Sequence, residues 1–180
     1  MKKFKVLVGN WLCWIRKLPV DKIPLQTVFK ALTAVLIAAI VLLNLFTHVL
    51  LIVHYNGEGM EPTLQSGQTL VLHRTQKVKQ GDIIAFYYNN QVLVRRVIAV
   101  ADSRVVIEDN GTVRINEEVL EEPYLTESSI GQCNLTFPFH VPSGQVFVMG
   151  DHRSMAMDSR LKEIGTVHMG RIIGKLLLSI

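Results

Sequence analysis

The sequence predicts a mainly β protein, in which one antiparallel, barrel-like β domain is preceded by a single N-terminal transmembrane helix. Two observations carry this prediction. Residues 31–53 contain no Asp, Glu, Lys or Arg, and beyond residue 54 short segments of alternating apolar and polar residues are separated by turn signals. The length of 180 residues fits one domain with an appendage, and hydrophobic residues, 49% of the chain, are concentrated in the uncharged run.

The uncharged run has the length of a membrane span. As a helix, its 23 residues would cover ~34 Å, enough to cross the hydrocarbon core of a bilayer. Asn44, Thr47 and His48 cluster toward its C-terminal end, so we expect the helix to end near Phe46, residues 31–47 to form the anchor and residues 48–55 to continue as a strand. A cleaved signal peptide is the alternative. An uncleaved anchor is favoured because 30 residues precede the run and no small-x-small cleavage site follows it.

Charge is divided between the N-terminal tail and the β domain. Residues 1–30 hold seven basic residues and one acidic residue, a net charge of +6, whereas the rest of the chain carries −2. Because basic flanks stay on the cytoplasmic side of a membrane, we expect residues 1–30 to be a cytoplasmic tail. Residues 48–180 would then be the extracellular domain of a single-pass protein of the cell membrane. The weakly acidic domain argues against a nucleic-acid partner.

The tail and the two cysteines give weaker signals. Apolar residues between positions 4 and 18 recur at helical spacing, which is typical of an amphipathic helix on an anionic leaflet, and an unstructured basic flank is the alternative. Cys13 would lie inside the cell and Cys133 outside, so we expect no disulfide between them. Two thiols at this spacing do not make a metal site, and no metal or cofactor is predicted.

Strand signals follow one another from residue 48 onwards. Turn signals at Asn89-Asn90, Asp109-Asn110-Gly111 and Pro142-Ser143-Gly144 separate neighbouring segments. No segment beyond residue 54 has the length and period of a long helix. The predicted strands span residues 48–55, 69–74, 82–88, 91–100, 104–108, 112–116, 145–149 and 170–178.

Five short motifs occur along the chain in a fixed order. They are Gly59-Met60-Glu61-Pro62-Thr63-Leu64, Gly81-Asp82-Ile83, Arg95-Arg96-Val97-Ile98, Gly150-Asp151-His152-Arg153 and Asp158-Ser159-Arg160. Together they resemble the boxes of the type I signal peptidases, over nearly the whole chain. Within that family the chain is most similar to the catalytically degenerate members that are encoded with sortases and pilins in Gram-positive pilus loci. The resemblance implies a β domain of the signal-peptidase type.

The resemblance also identifies three positions at which a functional group is replaced. In the family, a serine hydroxyl attacks the peptide bond, a neutral lysine amine takes the proton, and a second serine orients that amine. Mapped by motif, these positions fall on Gly59, Arg95 and Ala156. Glycine has no nucleophile, arginine stays protonated because its pKa lies above about 12, and the alanine side chain makes no hydrogen bond. We therefore expect no catalytic residue at these positions.

A rewired active site is the alternative. Its candidate nucleophiles and bases are Ser66, Ser154, Ser159, Lys77, Lys79 and Lys162, together with a triad-like set formed by Asp151, His152 and Ser154. In a working triad the groups converge from different directions, so neighbouring residues of the right types do not by themselves supply its geometry.

The resemblance further implies a groove for an extended peptide between two sheet edges, at residues 57–60 and 92–95. Its expected lining is Tyr55, Gly57, Met60, Leu64, Leu93 and Val94, of which Met60 and Leu64 would also suit the core. Charge pairs within Asp151-His152-Arg153 and Asp158-Ser159-Arg160 are expected to fix loops. Arg95 would either pair with a carboxylate of the ligand or be neutralised by Glu58 or Asp158. The residues expected to shape the domain are Pro62, Thr63, Asp82, Arg96, Gly150, Asp151, Arg153, Asp158 and Arg160.

Three functions are compatible with the sequence. The first is a membrane-anchored, non-proteolytic accessory protein or chaperone of pilus assembly that binds secreted pilin segments, with a sortase as a further candidate partner. The second is an active signal peptidase that cleaves signal peptides from secreted preproteins with a rewired site. The third is a structural membrane partner whose groove is vestigial. Replacement of all three functional groups favours the first.

Overall fold

The computed structural model describes residues 24–180, and the chain divides between Phe46 and Thr47 into two compact units. Helix α1 spans Leu25–Val49, and its segment Leu25–Asn44 is long and apolar enough to cross a membrane by length and composition. The predicted amphipathic segment at residues 4–18 and Cys13 lie outside the described residues.

Helix α1 is longer at both ends than the sequence predicts. It begins directly after Pro24, whose carbonyl accepts the Thr27 N–H at 2.8 Å. It ends at Val49 rather than near Phe46 because the polar side chain of Asn44 does not break it. The Asn44 Nδ2 donates to the Ile40 carbonyl one turn earlier at 2.9 Å, so this amide is satisfied within the helix. The assignment of residues 31–47 to a membrane stays a prediction.

Within residues 50–180, eleven strands form two antiparallel sheets, which confirms the prediction of a mainly antiparallel β fold. The larger sheet has seven strands in the order β1-β2-β11-β3-β4-β9-β10. The smaller has four, in the order β7-β6-β5-β8. The strands are β1 Leu50–His54, β2 Thr69–His73, β3 Ile83–Tyr88, β4 Gln91–Ala99, β5 Arg104–Ile107, β6 Val113–Ile115, β7 Glu118–Val119, β8 Phe139–His140, β9 Gln145–Met149, β10 Val167–His168 and β11 Ile172–Ser179.

The turn residues of the two main hairpins adopt the conformations that their types favour. Asn89 and Asn90 have φ of 44° and 62°, the left-handed conformation that a two-residue hairpin turn requires. Gly111, with φ of 86°, ends the turn between β5 and β6, and its N–H donates to the Glu108 carbonyl at 2.8 Å. Both turns lie where the sequence predicts them.

The differences from the predicted strands have a simple cause. The sequence predicts neither β7, β8 nor β10, because two residues are too few to show an alternating pattern. The first predicted strand, residues 48–55, begins two residues too early because α1 extends to Val49. Beyond residue 50, the described part of the chain contains one short 3₁₀ helix, Met169–Arg171, and no long helix.

Buried apolar side chains form three clusters, and one of them supports the site. Tyr55, Met60 and Leu64 pack there against Leu70 and Leu72 of β2, together with Ala85 of β3 and Val94 of β4. Buried and half-buried residues alternate along β2, so the face of the strand that carries Leu70 and Leu72 packs into the core. The loop after β1 is therefore held against the larger sheet by its own side chains.

Three ion pairs with little solvent exposure connect loops of the domain, and the most buried of them joins Asp158 and Arg160. Asp158 and Arg160 are fully buried, and the carboxylate accepts from Arg160 Nε at 2.9 Å and Nη2 at 2.7 Å. Asp158 Oδ2 also accepts the Gly150 N–H at 2.9 Å. The predicted pair within Asp158-Ser159-Arg160 is thus present, and the same carboxylate joins both ends of the loop from residue 150 to residue 160.

The predicted pair between Asp151 and Arg153 is wrong, because each finds a partner elsewhere. Asp151 accepts from Arg96 Nε at 2.9 Å and from Arg96 Nη2 at 2.5 Å, across strands β9 and β4. Arg153 pairs with Glu122 and donates from Nε to the Gly150 carbonyl at 3.0 Å. Residues 151–153 lie in a bend and turn after β9, and there both side chains bond to segments that are distant in the sequence.

The remaining predicted structural residues surround these pairs. The Thr63 hydroxyl donates to Asp151 Oδ2 at 2.5 Å. Asp82 accepts the Lys79 N–H at 3.0 Å and pairs with Lys175 of β11 at 3.3 Å. Pro62 is exposed.

We predict that the Asp158 pair decides the stability of the domain. Asp158→Ala leaves the buried Arg160 guanidinium without a counter-charge, which costs about 3–5 kcal/mol of unfolding free energy. The matched control is Glu117→Ala, which removes the acid from the Arg104 pair, where the Glu117 side chain is 82% exposed. Exposed pairs contribute about 0–1 kcal/mol. Denaturant unfolding of the full chain in detergent micelles measures both changes, and equal effects would contradict the prediction.

Candidate functional site

A groove of about 360 Å³ runs between the loop that follows β1 and the first half of β4. The two sides correspond to the edges predicted at residues 57–60 and 92–95. The loop from 155 to 157 closes one end. The lining consists of Tyr55, Asn56, Gly57, Glu58, Gly59, Ser66, Val92, Leu93, Val94, Arg95, Met155 and Met157.

Four of the six predicted groove residues line the groove, and two do not. Tyr55, Gly57, Leu93 and Val94 contact it, whereas Met60 and Leu64 are 0% and 1% exposed. The Leu64 N–H donates to the Met60 carbonyl at 2.9 Å, so residues 60–64 make a hydrogen-bonded turn. The side chains of Met60 and Leu64 both pack into the core cluster that contains Tyr55 and Val94. As groove-lining residues, Met60 and Leu64 are wrong.

The three positions to which the family motifs assign functional groups, Gly59, Arg95 and Ala156, lie close together, and the first two line the groove. A Cβ built on Gly59 would lie 3.1 Å from Arg95 Nη2, so the glycine backbone faces the guanidinium. A Cβ on Gly150 would lie 2.2 Å from the Ala156 Cβ and 2.3 Å from the Gly59 carbonyl oxygen. Gly150 therefore allows the segments that carry Gly59 and Ala156 to approach each other, and it tolerates no side chain.

Arg95 is buried and joins two segments of the groove wall. Its Nε donates to the Met157 carbonyl at 2.9 Å, and its Nη1 donates to the Val94 carbonyl at 2.6 Å. Burial is the largest influence on the pKa of Arg95 and lowers it, while Asp158 and Tyr55 act in the opposite direction. An arginine is not deprotonated in proteins, so the group remains a cation. It can bind an anion, but it cannot take a proton from a nucleophile.

Neither acid proposed to neutralise Arg95 forms an ion pair with it. Asp158 is engaged by both Nε and Nη2 of Arg160. Glu58 lines the groove but is exposed. Among residues 24–180, six ion pairs are formed, and Arg95 belongs to none of them.

The residues proposed for a rewired site form no hydrogen-bonded catalytic set, although Ser66 and His152 line one common cavity. The Ser159 hydroxyl is buried and accepts the Val148 N–H at 2.9 Å, and the Ser154 hydroxyl donates to Glu127 at 2.9 Å. His152 Nδ1 lies 3.2 Å from the Glu58 carbonyl oxygen. Since Asp151 is bound by Arg96 and Thr63, the three triad-like residues make no triad contact.

Among these candidates, which all lie in the part of the chain that the structure describes, only Ser66 lines the groove. Its hydroxyl accepts the Gly57 N–H at 3.2 Å. The lining includes no lysine, and Lys77 borders a different cavity, beside Arg74 and Ile172.

Sequence reasoning missed Asn56, Met155 and Met157 as groove residues. Met155 and Met157 flank Ala156, and their side chains are exposed while Ala156 is buried. Once position 156 had been assigned to the site, the segment Met155-Ala156-Met157 could have been predicted to place its two methionines beside the groove. In residues 24–180, no three His, Cys, Asp or Glu side chains cluster as metal ligands, and Cys133 is a free, half-buried thiol.

Known proteins match the chain over most of its length. Residues 26–180 match the family described as "Signal peptidase, peptidase S26". Signal peptidase I of Bacillus licheniformis is 34% identical over 165 residues, which cover 83% of this chain and 86% of that protein. Signal peptidase I T of Bacillus subtilis is 33% identical over 131 residues, 66% of this chain and 67% of that protein.

A crystal structure of a signal peptidase I from Enterococcus faecalis is also similar. It is 31% identical, covers 56% of this chain and 97% of its own, and superposes with a TM-score of 0.48. The family match, the identity over the length of the relatives and the apolar helix α1 agree with one another. The chain therefore belongs to the signal peptidase S26 family, as a signal peptidase I-like membrane protein.

Proposed function

We propose that this protein is a non-proteolytic member of its family. It binds an extended segment of a secreted protein in the groove between residues 57–60 and 92–95. The expected ligand is a pilin subunit, and the expected role is that of an accessory protein or chaperone in pilus assembly, in which a sortase is a candidate partner. The observation that carries the proposal is the contact between Gly59 and Arg95. At the position of the nucleophile there is no side chain, and beside it stands a permanent cation.

The chemistry of the site supports the absence of proteolysis. Peptide hydrolysis by this family's route needs a hydroxyl that attacks and an amine that accepts its proton. Gly59 supplies no hydroxyl, and the Arg95 guanidinium is protonated and already donates to two carbonyl groups. Ala156 supplies no hydrogen bond to orient a base.

The backbone of β4 supports retained binding. Strand β9 pairs with β4 from Arg96 to Ala99, and the opposite edge of β4 pairs with β3 over residues 91–96. No strand of the described chain therefore covers residues 92–95 on the side of the groove. An unpaired strand edge offers main-chain N–H and C=O groups to an extended peptide. Leu93, Met155 and Met157 add apolar contact area beside that edge.

We propose that helix α1 anchors the protein with its N-terminus in the cytoplasm and residues 48–180 outside the cell. The support is the net charge of +6 on residues 1–30, ahead of an uncharged apolar run. This orientation would present the groove to proteins that have just crossed the membrane.

We predict that the purified full chain leaves a secretory preprotein intact, at a concentration at which the signal peptidase I of Bacillus licheniformis completes cleavage. Gly59→Ser alone should not create activity, because no base is present and the new side chain would lie against Arg95. The readout is the mature fragment on a gel. Cleavage that is lost in Ser66→Ala would overturn the proposal in favour of an active peptidase with a rewired site.

We predict that filling the groove weakens ligand binding. Met157→Trp places a bulky ring at the rim, where residue 157 is 53% exposed, so the fold should tolerate the change. Binding of a purified pilin subunit should weaken about tenfold or more, the loss typical of a central contact. The matched control is Val119→Trp, at a 51% exposed position of the smaller sheet. Equal binding by both variants would assign the working surface to another part of the domain.

We predict that protease added to intact protoplasts degrades residues 48–180 and spares an epitope tag fused before Met1. Immunoblots for the tag and for the domain report the two sides separately. Detergent-lysed protoplasts, in which the tag must also be digested, are the control. Protection of the domain in intact protoplasts would refute the proposed orientation.

A further inference from the structure

The buried charges around the groove do not balance. Four arginines lie in or beside the loop that closes it, and three of them have carboxylate partners: Arg96 with Asp151, Arg153 with Glu122 and Arg160 with Asp158. Arg95 is the fourth. It is 7% exposed, and no carboxylate of residues 24–180 lies within ion-pair distance of it. Burial lowers the pKa of Arg95 most, Asp158 and Tyr55 partly oppose this, and the neighbouring Arg160 adds a like charge that lowers it.

A buried cation without a counter-charge is costly, since removal from water is compensated only by a partner of opposite charge. The two carbonyl groups that Arg95 contacts, of Met157 and Val94, provide dipoles but no charge. The nearby Asp158 attracts Arg95 but is bound by Arg160, so it compensates Arg95 only in part. Arg95 and Gly59 both line the groove, and Arg95 Nη2 would lie 3.1 Å from a Cβ built on Gly59, so the groove is the side from which a ligand can approach the guanidinium. A ligand in the groove is therefore the group that can neutralise it.

The backbone contacts of Arg95 also limit how a peptide can lie. A strand added along residues 92–95 would use the main-chain groups of that edge. The Val94 carbonyl already accepts from Arg95 Nη1, and the guanidinium packs against Gly59 on the opposite side. At this point an added strand meets a fork of N–H donors with no acceptor of opposite charge. A carboxylate matches such a fork in shape and charge.

We propose that the groove selects an extended peptide that bears a carboxylate, and that Arg95 binds this carboxylate beside Gly59. The inference rests on the proposed binding function and specifies its ligand. The carboxylate can be the free C-terminus of a cleaved segment or an Asp or Glu side chain within a continuous one. Gly59 contributes by its lack of a side chain, which leaves the guanidinium open to the ligand.

The test measures binding of four fluorescein-labelled hexapeptides of alternating valine and alanine to the full chain in uncharged detergent micelles, by fluorescence anisotropy. One ends in a free carboxylate, and its match ends in an amide. A second pair has an amide end with one internal aspartate or one internal asparagine. In at least one pair, the acid should bind about tenfold or more tightly than its neutral match, the gain expected of a charged hydrogen bond. The pair that shows the preference identifies the source of the carboxylate.

Substitutions assign the preference to one residue. Arg95→Gln should reduce it to within about twofold, and Arg95→Lys, which keeps the charge but not the fork, should retain part of it. Arg104→Gln removes an exposed arginine of the smaller sheet and should leave the preference unchanged. Thermal unfolding of each variant verifies that the domain is folded, and the comparison of acid with amide on the unaltered protein does not depend on any variant.

The remaining outcomes separate this inference from the proposed function. If acids and neutral peptides bind equally, while Met157→Trp weakens all of them, the groove binds peptides and the carboxylate inference is wrong. A preference that survives in Arg95→Gln also overturns the inference, because another cation then recognises the acid. If none of the four peptides binds, both the inference and the proposed use of the groove are overturned.

Discussion

One buried carboxylate determines the shape of the groove. Asp158 accepts the Gly150 N–H and both Nε and Nη2 of Arg160, so the two ends of one loop share a single anchor. Between these ends the loop brings Ala156 against Gly150 and directs the Met157 carbonyl at Arg95. A buried ion pair often adds little net stability over apolar packing. Its effect here is conformational, because the carboxylate binds the Gly150 N–H and Arg160 at the same time.

Arginine at position 95 has a structural consequence that lysine could not provide. Its planar group has five N–H donors in fixed directions, whereas an ammonium is a point charge on a flexible stem. Nε ties β4 to the loop that carries Met157, and Nη1 donates to the Val94 carbonyl on β4 itself. The side chain thus stabilises the groove wall and places a cation at its end. A residue that was expected to mark a lost activity is, in the structure, part of the support of the site.

The sequence predicted those parts of the fold that depend on local patterns. Alternation and turn residues located the long strands and the Asn89-Asn90 turn, because these signals arise from neighbouring residues. The end of α1 was missed, since Asn44 bonds to its own helix instead of ending it. The partner of Asp151 was missed because Arg96 is 55 residues away in the chain. Pairings of this kind are decided by tertiary packing and leave no mark on local sequence.

The candidate site was predictable to a similar degree. The resemblance to the family implied the two edges of the groove and the positions Gly59 and Arg95, which the structure places in contact. Burial was not predictable from the motif. Met60 is as apolar as Met157, yet the turn at residues 60–64 directs the first into the core and the loop directs the second toward the groove. Side-chain direction had to come from the backbone.

Met155 and Met157, which line the groove, are more open to oxidation than the methionines of the core. Met155 and Met157 are 61% and 53% exposed, whereas Met60 and Met149 are 0% exposed. Unbranched thioether side chains adapt to differently shaped ligands, and oxidation to the sulfoxide makes them polar. A mild oxidant in the surrounding solution would reach the rim before the core. It would change the apolar surface that a ligand meets while leaving the packing that holds the domain together intact.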